Sequence, residues 1–261
     1  HYGGVGERKS MKKAVSHRCV DPGQRIREKH KMRCISAFFL AVGMALLLFV
    51  CAGVWQGKNY LLAGILMLLF LFGVVVLNFE KRKPRAREIA LLSTMTGLSV
   101  AANELCSHTI PLHAGTAMVV ISGIALGPET GFFVGALARF VCNFFSGQGP
   151  WTPWQMYAWG LVGYVGGALA HAGAFDRADG TVRMPALLTY GFASGLLYGV
   201  VINAYDIIGF VQPLTWAGVV ARLATAVPFD ITHGLATCVF LAALYKPWCR
   251  RINRVVVKYG L

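Results

Sequence analysis

Tyr60-Leu-Leu-Ala-Gly-Ile-Leu-Met-Leu-Leu-Phe-Leu-Phe-Gly-Val-Val-Val-Leu-Asn-Phe79 carries no charged side chain from end to end. A helix needs about 20 mostly apolar residues to cross a hydrocarbon core of roughly 30 Å, and this stretch supplies them. The run from Ile35 to Trp55 does the same. In lipid such segments must satisfy their own backbone hydrogen bonds, which a helix does. The fold class that follows is an all-α polytopic membrane protein.

Composition agrees outside these stretches. The 261-residue chain is 56% hydrophobic and 14% charged, too little charge to cover a soluble surface. Its net charge of +14 could suggest nucleic acid. The basic residues, however, cluster between and outside the apolar runs, as membrane-flanking residues do, and no groove-reading or stacking motif accompanies them. Seven scattered cysteines show no CxxC spacing, so neither a disulfide framework nor a zinc site is indicated. Most read as small apolar side chains.

The chain divides into a basic tail at 1–34, expected to be disordered, two helices within 35–79, and a basic linker at 80–88 broken by Pro84. A six-helix core follows at 89–245, then a basic tail at 246–261. The six core spans are predicted at 89–106, 115–127, 130–146, 154–173, 185–208 and 216–245. With the N-terminus in the cytoplasm, the segments on that side, 25–33, 80–88, 174–184 and 246–258, hold five, five, two and five Lys or Arg. The opposite loops hold Lys58 and no other. Eight spans with both termini cytoplasmic give that separation. A lipoprotein signal ending at Cys51 is the competing reading of the start, but Val50 is bulky for a cleavage site and the apolar run continues past it. Gly4-Val-Gly-Glu-Arg-Lys9-Ser10 lacks the glycine before its lysine that a phosphate loop needs.

Four stretches carry a resemblance. They are Arg87-Glu-Ile-Ala-Leu-Leu-Ser-Thr, Val120-Ile-Ser-Gly-Ile-Ala-Leu-Gly-Pro-Glu-Thr-Gly-Phe-Phe-Val-Gly-Ala-Leu, Asn143-Phe-Phe-Ser-Gly-Gln-Gly-Pro-Trp-Thr-Pro-Trp-Gln-Met156 and Ala158-Trp-Gly-Leu-Val-Gly163. Together they resemble the S components, the substrate-binding subunits, of energy-coupling factor vitamin transporters. The likeness covers about residues 87–245, and the two N-terminal helices depart from that plan. It implies a six-helix core that captures a vitamin or related micronutrient from outside without hydrolysing ATP. It implies as partners a transmembrane coupling subunit and two cytoplasmic ATPases, and no cofactor. The tryptophan-rich loop resembles a branch associated with cobalamin or another corrinoid.

On the first core helix Ser93, Gly97 and Ala101 recur every four residues, a spacing that lets helix backbones approach closely in lipid. The resemblance makes this face the dock for the coupling subunit; packing against another helix of the same chain is the alternative. Ionisable side chains inside spans cost several kcal/mol (estimates run from about 2.5 upward) unless paired or hydrated. Glu104, Arg139, Asp206 and Arg222 are therefore candidates for the site, with Asn103, Asn143 and Asn203 at similar depth. Polar groups converging at one depth would line an outward-facing substrate cavity. Two buried ion pairs, Arg139 with Glu104 and Arg222 with Asp206, are the plainer alternative. Asp230, a further ionisable candidate inside a span, shares one helix face with His233 after Pro228; the two read as a structural polar cluster, with a contribution to the site or to gating as the alternative. Trp151 and Trp154 read either as interfacial anchors or as aromatic lining of the site. Gly123, Gly127, Gly131 and Gly135 read as a ladder of close helix packing. No enzyme-like constellation is visible, so a membrane-embedded enzyme ranks low. An autonomous channel or secondary transporter also ranks low, because no repeated halves are evident.

Overall fold

In a computed structural model of the protein, the described residues are 86–109, 114–177, 181–211, 213 and 215–259, with isolated positions 62, 66, 69, 70 and 73. The predicted tail at 1–34, the two N-terminal helices and most of the linker lie outside them. The described residues form six helices: α1 (Ala86–Thr109), α2 (Gly115–Leu126), α3 (Pro128–Ser146), α4 (Thr152–His171), α5 (Met184–Phe210) and α6 (Trp216–Tyr259). The other regular feature among them is a single antiparallel bridge between Asp176 and Val182, in the connection from α4 to α5. Three helices, α1, α5 and α6, are long and apolar enough to cross a membrane.

The breaks follow local chemistry. Gly127, at φ 103°, ends α2, and Pro128 opens α3 at once. That positive φ suits glycine, and proline is pre-set for the first turn of a helix. Gly127 is therefore a turn residue rather than a rung of the packing ladder, because a side chain there would meet nothing. Gly147, at φ 101°, ends α3 in the same way. Short connections make neighbouring helices antiparallel. The start of α1 and the far end of α6 consequently meet: Arg87 donates to the Tyr259 carbonyl at 3.4 Å.

Helix α2 has 12 residues, about 18 Å at 1.5 Å per residue, well short of a bilayer core. It is buried from Gly115 to Ala125 and packs against α1, α3, α4 and α6. A helix surrounded on all sides needs apolar or small residues all round, and its sequence GTAMVVISGIAL provides them. The tightest packing joins α2, α3 and α4 through glycines. A Cβ at Gly131 would lie 2.5 Å from Gly123 Cα and 2.6 Å from the Gly163 carbonyl oxygen. One at Gly163 would strike the Gly131 carbonyl. Gly135 lies against the backbone of Trp159 and Gly160, and Gly167 against Gly123 and Pro128.

One expectation is corrected. The last helix does not end at 245: α6 is 44 residues long and continues to Tyr259 through Pro228 and Pro247. Its extension is not a free tail, because Cys249 and Ile252 are buried.

Candidate functional site

The turn between α3 and α4 organises one end of the bundle. The Gly147 N–H donates to the Asn143 carbonyl at 2.8 Å. The Thr152 hydroxyl accepts from the Gly149 N–H at 3.1 Å and donates to Gln148 Oε1 at 2.9 Å. This compact turn sets Asn143 over the first turn of α4. Its Nδ2 donates to Thr152 Oγ1 at 3.0 Å and to Gln155 Oε1 at 2.9 Å.

One turn earlier on α3, Arg139 is only 9% exposed. Its Nε donates to Gln155 Oε1 at 3.0 Å, and its guanidinium lies 5.4 Å from the centroid of the Trp159 ring. An amide oxygen and an indole face thus hold a cation that would otherwise be costly to bury. The indole N–H of Trp159 donates to Thr116 Oγ1 at 3.1 Å. That hydroxyl is 2.7 Å from His233 Nε2. The ring of Tyr198 stands edge-on to His233 with centroids 5.0 Å apart. On α1, buried Asn103 donates to Glu104 Oε1 at 3.1 Å. All six helices therefore contribute polar groups at the same end.

Thr116 is the joint of this chain, which leads to a test. Thr116→Val keeps the shape but removes the acceptor of the Trp159 N–H. A buried polar group left without its partner costs about 1–3 kcal/mol. The expected result is a lower unfolding midpoint in detergent, read by intrinsic fluorescence on heating. An unchanged midpoint would show that the joint contributes nothing.

A cavity of about 190 Å³ opens between α5 and α6. Asn203, Arg222, Thr225 and Asp230 line it with the aromatic rings of Tyr198 and Phe229. Asn203 Nδ2 donates to Asp230 Oδ2 at 3.2 Å. Arg222 forms an ion pair with Asp206 and reaches Thr225 Oγ1 at 3.3 Å. Tyr198 belongs to both settings, lining the cavity while packing on His233.

Of the residues singled out in the sequence, Asn203, Arg222 and Asp230 line the cavity and Asp206 pairs with Arg222 beside it. Arg139 and Asn143 sit in the interior network, and Asn103 and Glu104 adjoin it on α1. Asp230 and His233 diverge, one bonding Asn203 on α5 and the other Thr116 on α2. Trp154 is neither an interfacial anchor nor a loop residue. It lies in the first turn of α4, 2% exposed, its ring 5.7 Å from Tyr205. Trp151 is partly exposed and folds over Gly149. Two buried atoms at this end, Asn143 Oδ1 and Trp154 Nε1, have no hydrogen-bond partner among the described residues. Ser93, Gly97 and Ala101 are all exposed on α1, and nothing described lies within 4 Å of where a Gly97 side chain would start.

Sequence reasoning passed over Thr116, Gln155, Trp159, Tyr198 and Thr225. Gln155 carried the clearest signal, an amide one helical turn beyond Trp151 in an otherwise apolar run. Among the described residues no group of three or more His, Cys, Asp or Glu is arranged to hold a metal ion.

Residues 83–248, more than half of the chain, match the family model described as "ECF-type riboflavin transporter, S component". Neither the curated proteins nor the solved structures searched gave a match.

Proposed function

The chain belongs to the family of ECF-type riboflavin transporter S components, membrane transporter components rather than enzymes, and from that premise we propose that it captures a vitamin at the polar end of its bundle. The observation that carries the reading is the cavity between α5 and α6, where Asn203, Arg222 and Asp230 stand among the rings of Tyr198 and Phe229. A few placed polar groups within aromatic and apolar walls are what a small-molecule site uses. The same end would face outward, since Arg87 and the basic residues between Lys246 and Lys258 lie at the other end, and such residues favour the cytoplasmic side.

The description of the family names riboflavin, and it is the first substrate to test. The cavity of about 190 Å³ lies below the usual small-molecule range of roughly 300–1,000 Å³. It suits a flat ring system flanked by Tyr198 and Phe229 better than a bulky corrinoid, which the tryptophan-rich loop had favoured. Delivery would then need the coupling subunit and its two ATPases, docked on the exposed small-residue face of α1.

Titrating the purified chain into riboflavin tests the substrate, because flavin fluorescence is quenched when the ring stacks on aromatic side chains. Saturable quenching that excess cobalamin or thiamin does not reverse is expected. Arg222→Ala is expected to weaken binding about tenfold, equivalent to roughly 1.4 kcal/mol. If cobalamin bound saturably and riboflavin did not, the corrinoid reading would replace this one.

A further inference from the structure

The end of α6 beyond Tyr245 is unexplained by substrate capture. Between Lys246 and Tyr259 the helix contains five basic residues and no acidic one. Four of them, Lys246, Arg250, Arg254 and Lys258, recur every four residues and form one stripe along the helix. All four are exposed. The opposite side is apolar: Cys249 and Ile252 are buried, and Val256 packs against the same core cluster as Leu91 and Leu92 of α1. The stripe is thereby fixed facing away from the bundle.

Its height is fixed as well. A straight 44-residue helix would extend about 66 Å, far beyond a bilayer of roughly 45 Å including headgroups. Instead, the helix end is held at the foot of α1. Arg87 donates to the Tyr259 carbonyl and lies 5.4 Å from the centroid of its ring. Arg87 begins a membrane-length helix and so sits at the membrane boundary. The end of the basic stripe therefore lies at the base of the bundle, beside the start of α1. Trp248, with Arg251 5.1 Å from its ring centroid, packs against the core cluster and holds this turn of the helix to the bundle.

We propose that this stripe is a binding surface for the headgroups of anionic phospholipids, which fix the C-terminal segment of α6 against the membrane. Like charges four residues apart repel along a helix, and nothing in this segment neutralises them. Anions must come from outside the segment, and a row of basic residues at the cytoplasmic edge of a membrane helix is suited to acidic lipid.

The full chain in mild detergent is titrated with short-chain phosphatidylglycerol, phosphatidylcholine or inorganic phosphate. Retained lipids are counted by native mass spectrometry and the unfolding midpoint is followed. Phosphatidylglycerol is expected to be retained and to raise the midpoint, phosphatidylcholine and phosphate not. A variant carrying R250Q, R251Q and R254Q is expected to lose at least tenfold in apparent affinity for phosphatidylglycerol while binding riboflavin as before. If that variant does not fold, the pair K246Q and K258Q makes the same comparison. Equal retention of the two lipids, a larger effect of phosphate, or unaltered affinity in the variants overturns the proposal. So does a variant whose only defect is failure to retain the coupling subunit, which would assign the stripe to that protein.

Discussion

Gly163→Leu is expected to leave no monodisperse protein after extraction. The physical reason is the absence of anything that can yield. A Cβ at Gly163 would fall on the Gly131 carbonyl and lie 2.9 Å from Val119 Cγ1. The nearest obstacle is thus the backbone of a neighbouring helix, not a side chain free to change rotamer. Overpacking a core ordinarily costs about 1–3 kcal/mol, and a clash with backbone belongs at or above the top of that range. The loss also propagates, because Gly123, Gly131 and Gly163 share one three-helix contact. In lipid, where apolar side chains gain little by leaving one apolar medium for another, close packing is much of what holds helices together. Size-exclusion profile and unfolding midpoint are the measurements, with Gly163→Ala expected to fall between the wild type and the leucine variant. A leucine variant with a wild-type midpoint would mean that α4 can move away from α3 at little cost.

That contact also marks how far the sequence could be read. The six helices were legible because predominantly apolar runs are separated by glycine, proline and basic breaks, and even α2, too short to span a bilayer core, is an unbroken apolar run. Gly123, Gly131 and Gly135 were legible as packing positions from their spacing alone. Gly127 was not distinguishable from them, since only its backbone conformation reveals a turn residue. The extension of α6 was hidden because its charges read as a tail, while the buried positions Cys249, Ile252 and Val256 are too few to stand out beside five basic residues. The site was partly legible for a similar reason. Arginine and asparagine inside a span are costly enough to be noticed, so Arg139, Asn143, Asn203 and Arg222 could be picked out. Of their partners, Thr116 and Trp159 could not, because hydroxyl and indole groups are unexceptional in membrane helices until a neighbour is known; Gln155 carried a signal but was absorbed into the tryptophan-rich string beside it. Trp154 was misplaced because a tryptophan next to a loop reads as interfacial. Its register in the first turn of α4 instead turns it inward onto Tyr205.

Gly97→Trp is expected to abolish vitamin uptake while riboflavin binding by the isolated chain stays within twofold of wild type. Ser93, Gly97 and Ala101 lie on one exposed face of α1, and no atom of the described chain lies within 4 Å of where a side chain at Gly97 would begin. An indole there meets nothing within the described bundle and is expected to leave its stability unchanged, in contrast to leucine at Gly163. A partner helix packed closely on the same face would be driven off by the full width of the ring, and small-residue interfaces tolerate no such spacer. The two readouts therefore separate docking from capture. Uptake is measured in cells supplying the coupling module, binding by flavin quenching on the purified variant, and assembly by recovery of the coupling subunit with the tagged chain. Wild-type uptake in the variant would remove α1 from the dock. Lost uptake with the complex still recovered would move the role of this face from assembly to the movement that follows it. Lost binding would mean that the face communicates with the polar end through Asn103 and Glu104, which lie on the same helix.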